Sequence, residues 1–274
     1  MPSNEQRRQD AKSKLEHELE HGAQRTRRRR VIIAVVAAVA VVVVALGLVY
    51  WTRDGDAPEA TGDNTAQQPR PEATGPCYAP SPEQTAEPVG LPDDPEPTPA
   101  DGTVPVSLDT SQGEIGLTLD RAQGPCAVQS FQHLVRAQYF DGTECHRLTT
   151  GEGLKVLQCG DPTGSGSGGP GYTMIDEPPT RLKPAPAPYD QGGAVVYPRG
   201  TLAMAKSAQP DSGGSQFFMV YEDSYLPPDY TVFGRIDEAG LRVLDGVARA
   251  GAEGGASDGA PAQPVRIAKA QLRT

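Results

Sequence analysis

The chain has 274 residues with 31 glycines, 27 prolines and a hydrophobic content of 37%, so its folded part is expected to be shorter than the whole. The net charge of −10 hides an asymmetry: a basic run, RTRRRR, stands at 25–30 and the chain beyond residue 51 is acidic, which argues against a nucleic-acid partner. All four cysteines, Cys77, Cys126, Cys145 and Cys159, fall in the acidic part.

Residues 1–30 are helix-favouring and heavily charged with few apolar side chains to bury, so they read as a charged cytoplasmic tail. HELEH at 17–21 matches the H-E-x-x-H zinc pattern. That chemistry also needs a third ligand and a dry cleft. The tail offers neither, so the motif is read as a solvated helix and no metal is expected. Residues 31–51, VIIAVVAAVAVVVVALGLVYW, carry no charge. At about 1.5 Å per helical residue such a run crosses a hydrocarbon core of about 30 Å. A single transmembrane helix is expected here. The apolar core of a signal peptide is usually only about 7–15 residues long, and Tyr50 and Trp51 close the run as an interfacial belt does. The arginines before it keep the N-terminus cytoplasmic. Everything after about residue 52 is then extracytoplasmic, where disulfides persist and an even cysteine count favours two bridges.

Residues 52–101 are rich in proline, Asp, Glu, Thr and Ala. They cannot bury enough apolar surface to offset their ordering entropy, and they read as a disordered, acidic, extended linker. The texture changes at 102. VPVSLDTSQGEIGLTLD alternates apolar and polar residues about a turn, a hairpin signal. Pro125 then opens a helical stripe at Val128, Phe131, Leu134 and Val135. Short strands come next at CHRLTTGEGLKVLQCG (145–160), GTLAMAK (200–206), SQFFMVY (215–221) and YTVFGRI (230–236). Leu241, Leu244, Val247 and Ala248 mark a second helix, and PVRIAKAQL alternates again. GSGSGG at 164–169 fits a dinucleotide-binding spacing, but PGYTM succeeds it instead of a helix, so it reads as a surface loop. Many short strands with two separated helices predict, over 102–274, a mainly β domain: a closed or nearly closed antiparallel barrel plugged by helices.

Six blocks in this order, SFQHL, YFDGTECHR, QCGDPTGSGSGGPGY, GTLAMAK, GGSQFFMVY and YTVFGRI, resemble the cyclophilin-type peptidyl-prolyl cis-trans isomerases. The resemblance implies a closed eight-stranded antiparallel barrel capped by two α-helices. It also implies a catalytic pair, Arg147 and Gln158. The substrate-binding residues it implies are Val156, Gly166, Ala205, Lys206, Ser207, Gln216, Phe218, Tyr225, Leu226 and Tyr230, with Phe217 as core beside Phe218. The chain departs from the family where P-G-F-M is common: TTGEGLKV stands there, three residues longer, and Leu154 or Lys155 takes the place of the phenylalanine. Tyr225 replaces a frequent tryptophan and Tyr230 a frequent histidine. Residues 176–199 form an unusually long proline-rich connection, a lid or a surface loop.

An X-Pro bond isomerises slowly because twisting it forfeits amide resonance, a barrier of about 18–20 kcal/mol. No bond breaks, so no cofactor, metal or nucleophile is required. The twisted state differs from the ground state at the prolyl nitrogen, which pyramidalises and exposes a lone pair. A fixed guanidinium that bonds this nitrogen only then binds the transition state selectively. The expected activity is therefore isomerisation of X-Pro bonds in exported polypeptides, assisting their folding, by a monomeric, membrane-tethered enzyme. The alternative is a proline-peptide-binding scaffold or chaperone with little turnover.

Four cysteines allow three pairings. Cys145 and Cys159 are equidistant from Glu152. If TTGEGLK is a hairpin turn, they face one another on neighbouring strands, close enough to bridge. Cys77 would then pair with Cys126.

Overall fold

The computed structural model describes residues 77–273. The expected charged tail, its HELEH motif, the membrane helix at 31–51 and the first half of the linker lie outside the described residues. No helix among the described residues is long and apolar enough to cross a membrane. The strands, in chain order, are β1 (Tyr78–Thr85), β2 (Thr103–Thr110), β3 (Gly113–Asp120), β4 (Arg147–Thr149), β5 (Val156–Cys159), β6 (Pro170–Met174) and β7 (Val195–Tyr197). They continue with β8 (Thr201–Met204), β9 (Phe217–Val220), β10 (Ser224–Leu226), β11 (Val232–Ile236), β12 (Asp258–Gly259) and β13 (Ile267–Leu272). Two α-helices, α1 (Pro125–Arg136) and α2 (Glu238–Ala250), complete the domain.

Nine strands form one curled sheet in the order β12-β4-β5-β9-β8-β11-β3-β2-β13, while β1 pairs with β6 and β7 with β10. This corrects the expected closed, eight-stranded barrel. The ninth strand, β12, is two residues long within a Gly- and Ala-rich stretch and has no alternation by which to recognise it. β12 and β13, at the two ends of the sheet, do not pair with each other. Backbone bonds just outside the ladders hold that side instead, from Cys145 N–H to Val265 O (2.8 Å) and from Gly142 N–H to Ile267 O (2.7 Å).

Each helix buries the stripe its spacing predicts, except that Ala248 of α2 is only half-buried. In α1, Val128, Phe131, Leu134 and Val135 are buried, and Pro125 sits in the first turn, where its missing N–H is not needed. α2 buries Leu241, Leu244 and Val247, and the side chain of Asp237 caps it by accepting the N–H of Gly240 at 2.6 Å. Phe131 meets Phe140, Phe217 and Phe233 at ring-centroid distances of 4.9, 5.2 and 5.4 Å, which centres the core between α1 and the sheet.

Residues 77–101 belong to the folded unit, although the composition of 52–101 predicts an extended linker. β1 runs antiparallel to β6, with Tyr78 opposite Met174. Cys77 is bonded to Cys126, its N–H donates to Asp94 Oδ2 (2.7 Å), and buried Tyr78 donates its hydroxyl to Cys126 O (2.7 Å). A proline- and acid-rich composition does not register one disulfide and one buried tyrosine, and these fix the segment to α1.

Cys145 is bonded to Cys159, Cα to Cα 4.0 Å, so both expected pairings form. The register differs from a hairpin centred on Glu152: Arg147 lies opposite Gln158 and Leu148 opposite Leu157. The centre falls half a residue later, and Cys145 has already left β4 to bond Val265. The two cysteines therefore join one position off the direct pair.

Candidate active site

The pairing register assembles the site. Arg147 on β4 faces Gln158 on β5, Gln158 faces Phe218 on β9, Phe218 faces Ala203 on β8, and Ala203 faces Val232 on β11. Directly paired residues share one face of a sheet. A single lateral row across five strands thus carries a guanidinium, an amide and an apolar patch side by side. Alternation along β9 divides its residues: Phe217 and Met219 enter the main core, while Phe218 and Val220 line the opposite face.

A continuous polar chain runs along one side of the row. Arg147 Nε and Nη2 donate to the two carboxylate oxygens of Asp258, 2.7 Å each, and Nη1 donates to Gln158 Oε1 at 3.3 Å. Gln158 Nε2 donates to Gln216 Oε1 at 2.9 Å. Gln216 Nε2 donates to the carbonyls of Gly166 and Gly168, both at 3.0 Å. Asp258 holds the arginine above its ordinary pKa, and in return the arginine's hydrogen bonds hold Asp258 below the usual carboxylate value.

The GSGSGG loop that receives Gln216 is organised by Asp161, whose side chain is fully buried. Oδ1 accepts the N–H and hydroxyl of Thr163 (2.8 Å each), and Oδ2 accepts the N–H groups of Gly166 (2.6 Å) and Gly168 (3.1 Å). Burial alone would raise the pKa of this carboxyl, but the bonds from Thr163, Gly168 and Gly166 outweigh it and hold it below its ordinary value. Gly166 adopts φ +82°, left-handed backbone that favours glycine. Beside the loop, neither ring nitrogen of His146 has a hydrogen-bond partner. Burial, together with the neighbouring Arg147 charge, lowers its pKa, against the opposing pull of Asp161 and of the nearby Gln216 side chain.

The apolar side is a second cluster separate from the main core. Val156, Tyr197, Ala203, Phe218, Val220 and Val232 are buried in it, and Leu154, Leu182, Val195, Ala205, Leu226 and Tyr230 pack against them. The Phe218 and Tyr230 rings meet edge to face, with centroids 5.6 Å apart. Leu154 packs against this cluster, whereas Lys155 pairs with Glu222 at 3.9 Å. The long connection 176–199 is more than a surface loop, because Leu182, Val195 and Tyr197 form part of this cluster.

Ala205, Lys206, Ser207, Gly166, Gln216 and Gln158 line a neighbouring cavity of about 330 Å³. The Lys206 ammonium is not free there, since it pairs with Asp176 at 2.6 Å. Among the expected substrate-binding residues, Tyr225 stands apart from both the cluster and this cavity. It stacks on Tyr189 of the long connection, with centroids 4.4 Å apart and planes 17° from parallel. Sequence reasoning did not identify Asp258, Asp161, His146, Leu182, Tyr189, Val195 or Tyr197. Two traces were legible: an acid ahead of a Thr/Ser/Gly run at Asp161, the composition that folds back on an Asx side chain, and the long connection 176–199, whose reading as a lid or a surface loop marked the segment but not the residues it contributes.

Residues 105–272 match the family described as cyclophilin type peptidyl-prolyl cis-trans isomerase/CLD. "Probable peptidyl-prolyl cis-trans isomerase B" of Mycobacterium tuberculosis is 51% identical over 195 residues, 71% of this chain and 63% of that protein. The protein of the same name from Mycobacterium leprae is 49% identical over 195 residues, 71% of this chain and 65% of that one. The chain thus spans less than two thirds of the length of these relatives. A crystal structure of a cyclophilin-type peptidyl-prolyl cis-trans isomerase from Cryptosporidium parvum superposes with a TM-score of 0.50 at 27% identity, covering 63% of this chain and 99% of that one.

Proposed function

The chain belongs to the cyclophilin-type peptidyl-prolyl cis-trans isomerase family, and from that membership we propose that it accelerates cis-trans exchange of X-Pro bonds in polypeptides. The observation that carries this reading is the row in which Arg147 and Gln158 stand one strand apart beside the Phe218 patch. The proline ring occupies the apolar patch of Val156, Phe218, Leu226 and Tyr230. Gln158 and the backbone near Ala205 and Lys206 hold the carbonyl side of the bond. Arg147 then donates to the prolyl nitrogen as it pyramidalises, an interaction absent from the planar ground state. Tyr225, stacked on Tyr189, contacts substrate at the rim.

The test is NMR exchange spectroscopy of a short X-Pro peptide with the full chain in detergent micelles. Arg147→Ala should lower kcat by about 10²–10³-fold, the scale for losing one donor to a developing charge. A wild-type chain no faster than Arg147→Ala sinks the reading. Peptide binding without faster exchange would instead favour a proline-peptide scaffold, the reading that the leucine-built pocket wall keeps in play.

We further infer that the enzyme acts outside the cytoplasmic membrane, tethered by residues 31–51, on exported clients. The support is the uncharged run behind RTRRRR together with two disulfides, which persist in oxidising compartments. A domain that stayed protected from protease added to spheroplasts would overturn that placement.

A further inference from the structure

Arg147 is gripped by a residue that belongs to neither strand of its own hairpin. Asp258 lies opposite Thr149 in the β12–β4 pairing, so it shares a face with Arg147 two positions along and meets it on the diagonal. The two 2.7 Å bonds from Nε and Nη2 form a side-on fork on the carboxylate. A guanidinium carries five N–H groups. The fork uses two and the Gln158 contact a third, which leaves one hydrogen on each terminal nitrogen. β12 is only two residues long and pairs with nothing beyond Leu148 and Thr149. Both members of the ion pair are substantially exposed, at 39% and 53% of their side-chain surface. An exposed pair of this kind contributes little to folding stability, so its effect belongs in the placement of the arginine.

We propose that Asp258 is a positioning residue for the isomerisation, its carboxylate fixing the side edge of the Arg147 guanidinium so that the two remaining terminal N–H groups are presented to the prolyl nitrogen. The proposal rests on the role given to Arg147 above. Without the clamp a half-exposed arginine on four flexible bonds samples other rotamers, and the donor is in place for only part of the time. The planar substrate does not use this donor, so the loss falls on kcat and spares KM.

The full chain is compared with Asp258→Asn, Asp258→Glu, Arg147→Ala and the Arg147→Ala/Asp258→Asn double variant. Each is assayed for kcat and KM by exchange spectroscopy, and the Arg147 Nε–H resonance is followed by NMR. Asp258→Asn should lower kcat by about 10-fold, short of the ~10²-fold of a full misplacement, leave KM within about 2-fold, and broaden or lose the Nε–H signal. Asp258→Glu should recover part of the rate. In the Arg147→Ala background Asp258→Asn should cost nothing further, because a residue acting only through the arginine has nothing left to act on. Wild-type kcat in Asp258→Asn, a loss confined to KM, or an equal loss in the Arg147→Ala background each overturns the clamp. A wild-type chain no faster than Arg147→Ala removes the isomerase reading and the clamp together, whereas an active wild type with a fully active Asp258→Asn removes the clamp alone.

Discussion

Replacing Asp161 by alanine should unseat the loop that holds Gln216 and, through it, Gln158. The carboxylate is fully buried and accepts three backbone N–H groups, those of Thr163, Gly166 and Gly168, together with the hydroxyls of Thr163 and Ser165. Each stranded buried donor costs about 1–3 kcal/mol. Residues 163–167 are themselves exposed or nearly so, so part of the loop can turn to water. Such losses are not additive, and the net cost should be about 2–4 kcal/mol. At about 2–4 °C per kcal/mol for a domain of this size, the thermal midpoint should fall by about 5–15 °C. Asparagine should do nearly as badly, because it has one acceptor oxygen where two are used and sets an NH₂ against backbone donors. The pH dependence has a definite sign. The folded carboxyl sits below its ordinary value of 3.8, so its contribution is complete above that pH and is lost as pH falls through the lower, folded value. Asp161→Asn should flatten that acid limb of the melting profile. Activity should drop as well, by about 10-fold in kcat/KM, since an unanchored Gln216 no longer orients Gln158. Circular-dichroism melts of the full chain from pH 2 to 7, with exchange spectroscopy at neutral pH, supply both readouts. An Asp161→Ala midpoint within about 2 °C of wild type would mean that the carboxylate does not hold the loop.

Two further outcomes concern contacts of the 176–199 connection. Tyr189→Ala removes the stack on Tyr225 and the ring that lies against Gly153, whose φ of +83° sets the hairpin turn. An aromatic pair contributes about 0.5–1.5 kcal/mol, so KM for an X-Pro peptide should rise about 2–10-fold with kcat unchanged; an unaltered KM would mean that the stack does not bear on substrate. Glu177→Ala removes the acceptor for the N–H groups of Cys126 (3.2 Å) and Ala127 (3.0 Å) at the start of α1, a helix whose own N-cap residue, Gly124, has no side chain. The loss of that distant cap should cost about 1–2 kcal/mol. Hydrogen exchange at Ala127 should accelerate, and an unchanged rate would show that another group caps the helix.

Much of the domain was legible because its signals are local. The stripes of α1 and α2 repeat at helical spacing. Alternation along β9 separates Phe217 from Phe218, and Arg147 and Gln158 belong to one hairpin, so short-range order decides which side chains share a face. The same reasoning erred by half a residue at the cysteines, because the turn alone does not say where Cys145 stops pairing with β5 and starts pairing with the segment before β13.

The sequence implied the chemistry through its resemblance to the cyclophilin-type family, whose ordered blocks put a guanidinium and an amide on paired strands beside an aromatic patch; composition and spacing alone gave an acidic, mainly β domain with an even number of cysteines. The supports that hold that chemistry in place came only from long-range contacts. Asp258 meets Arg147 from 111 residues away on a two-residue strand, Asp161 orders a loop whose composition predicts only a surface excursion, and Leu182, Val195 and Tyr197 reach the pocket from a proline-rich connection. β1 likewise joins the fold through a disulfide 49 residues apart in sequence. None of these segments carries a period of 2 or 3.6. Their conformations depend on partners distant in the chain, and a periodic pattern read along the sequence contains no term for those partners.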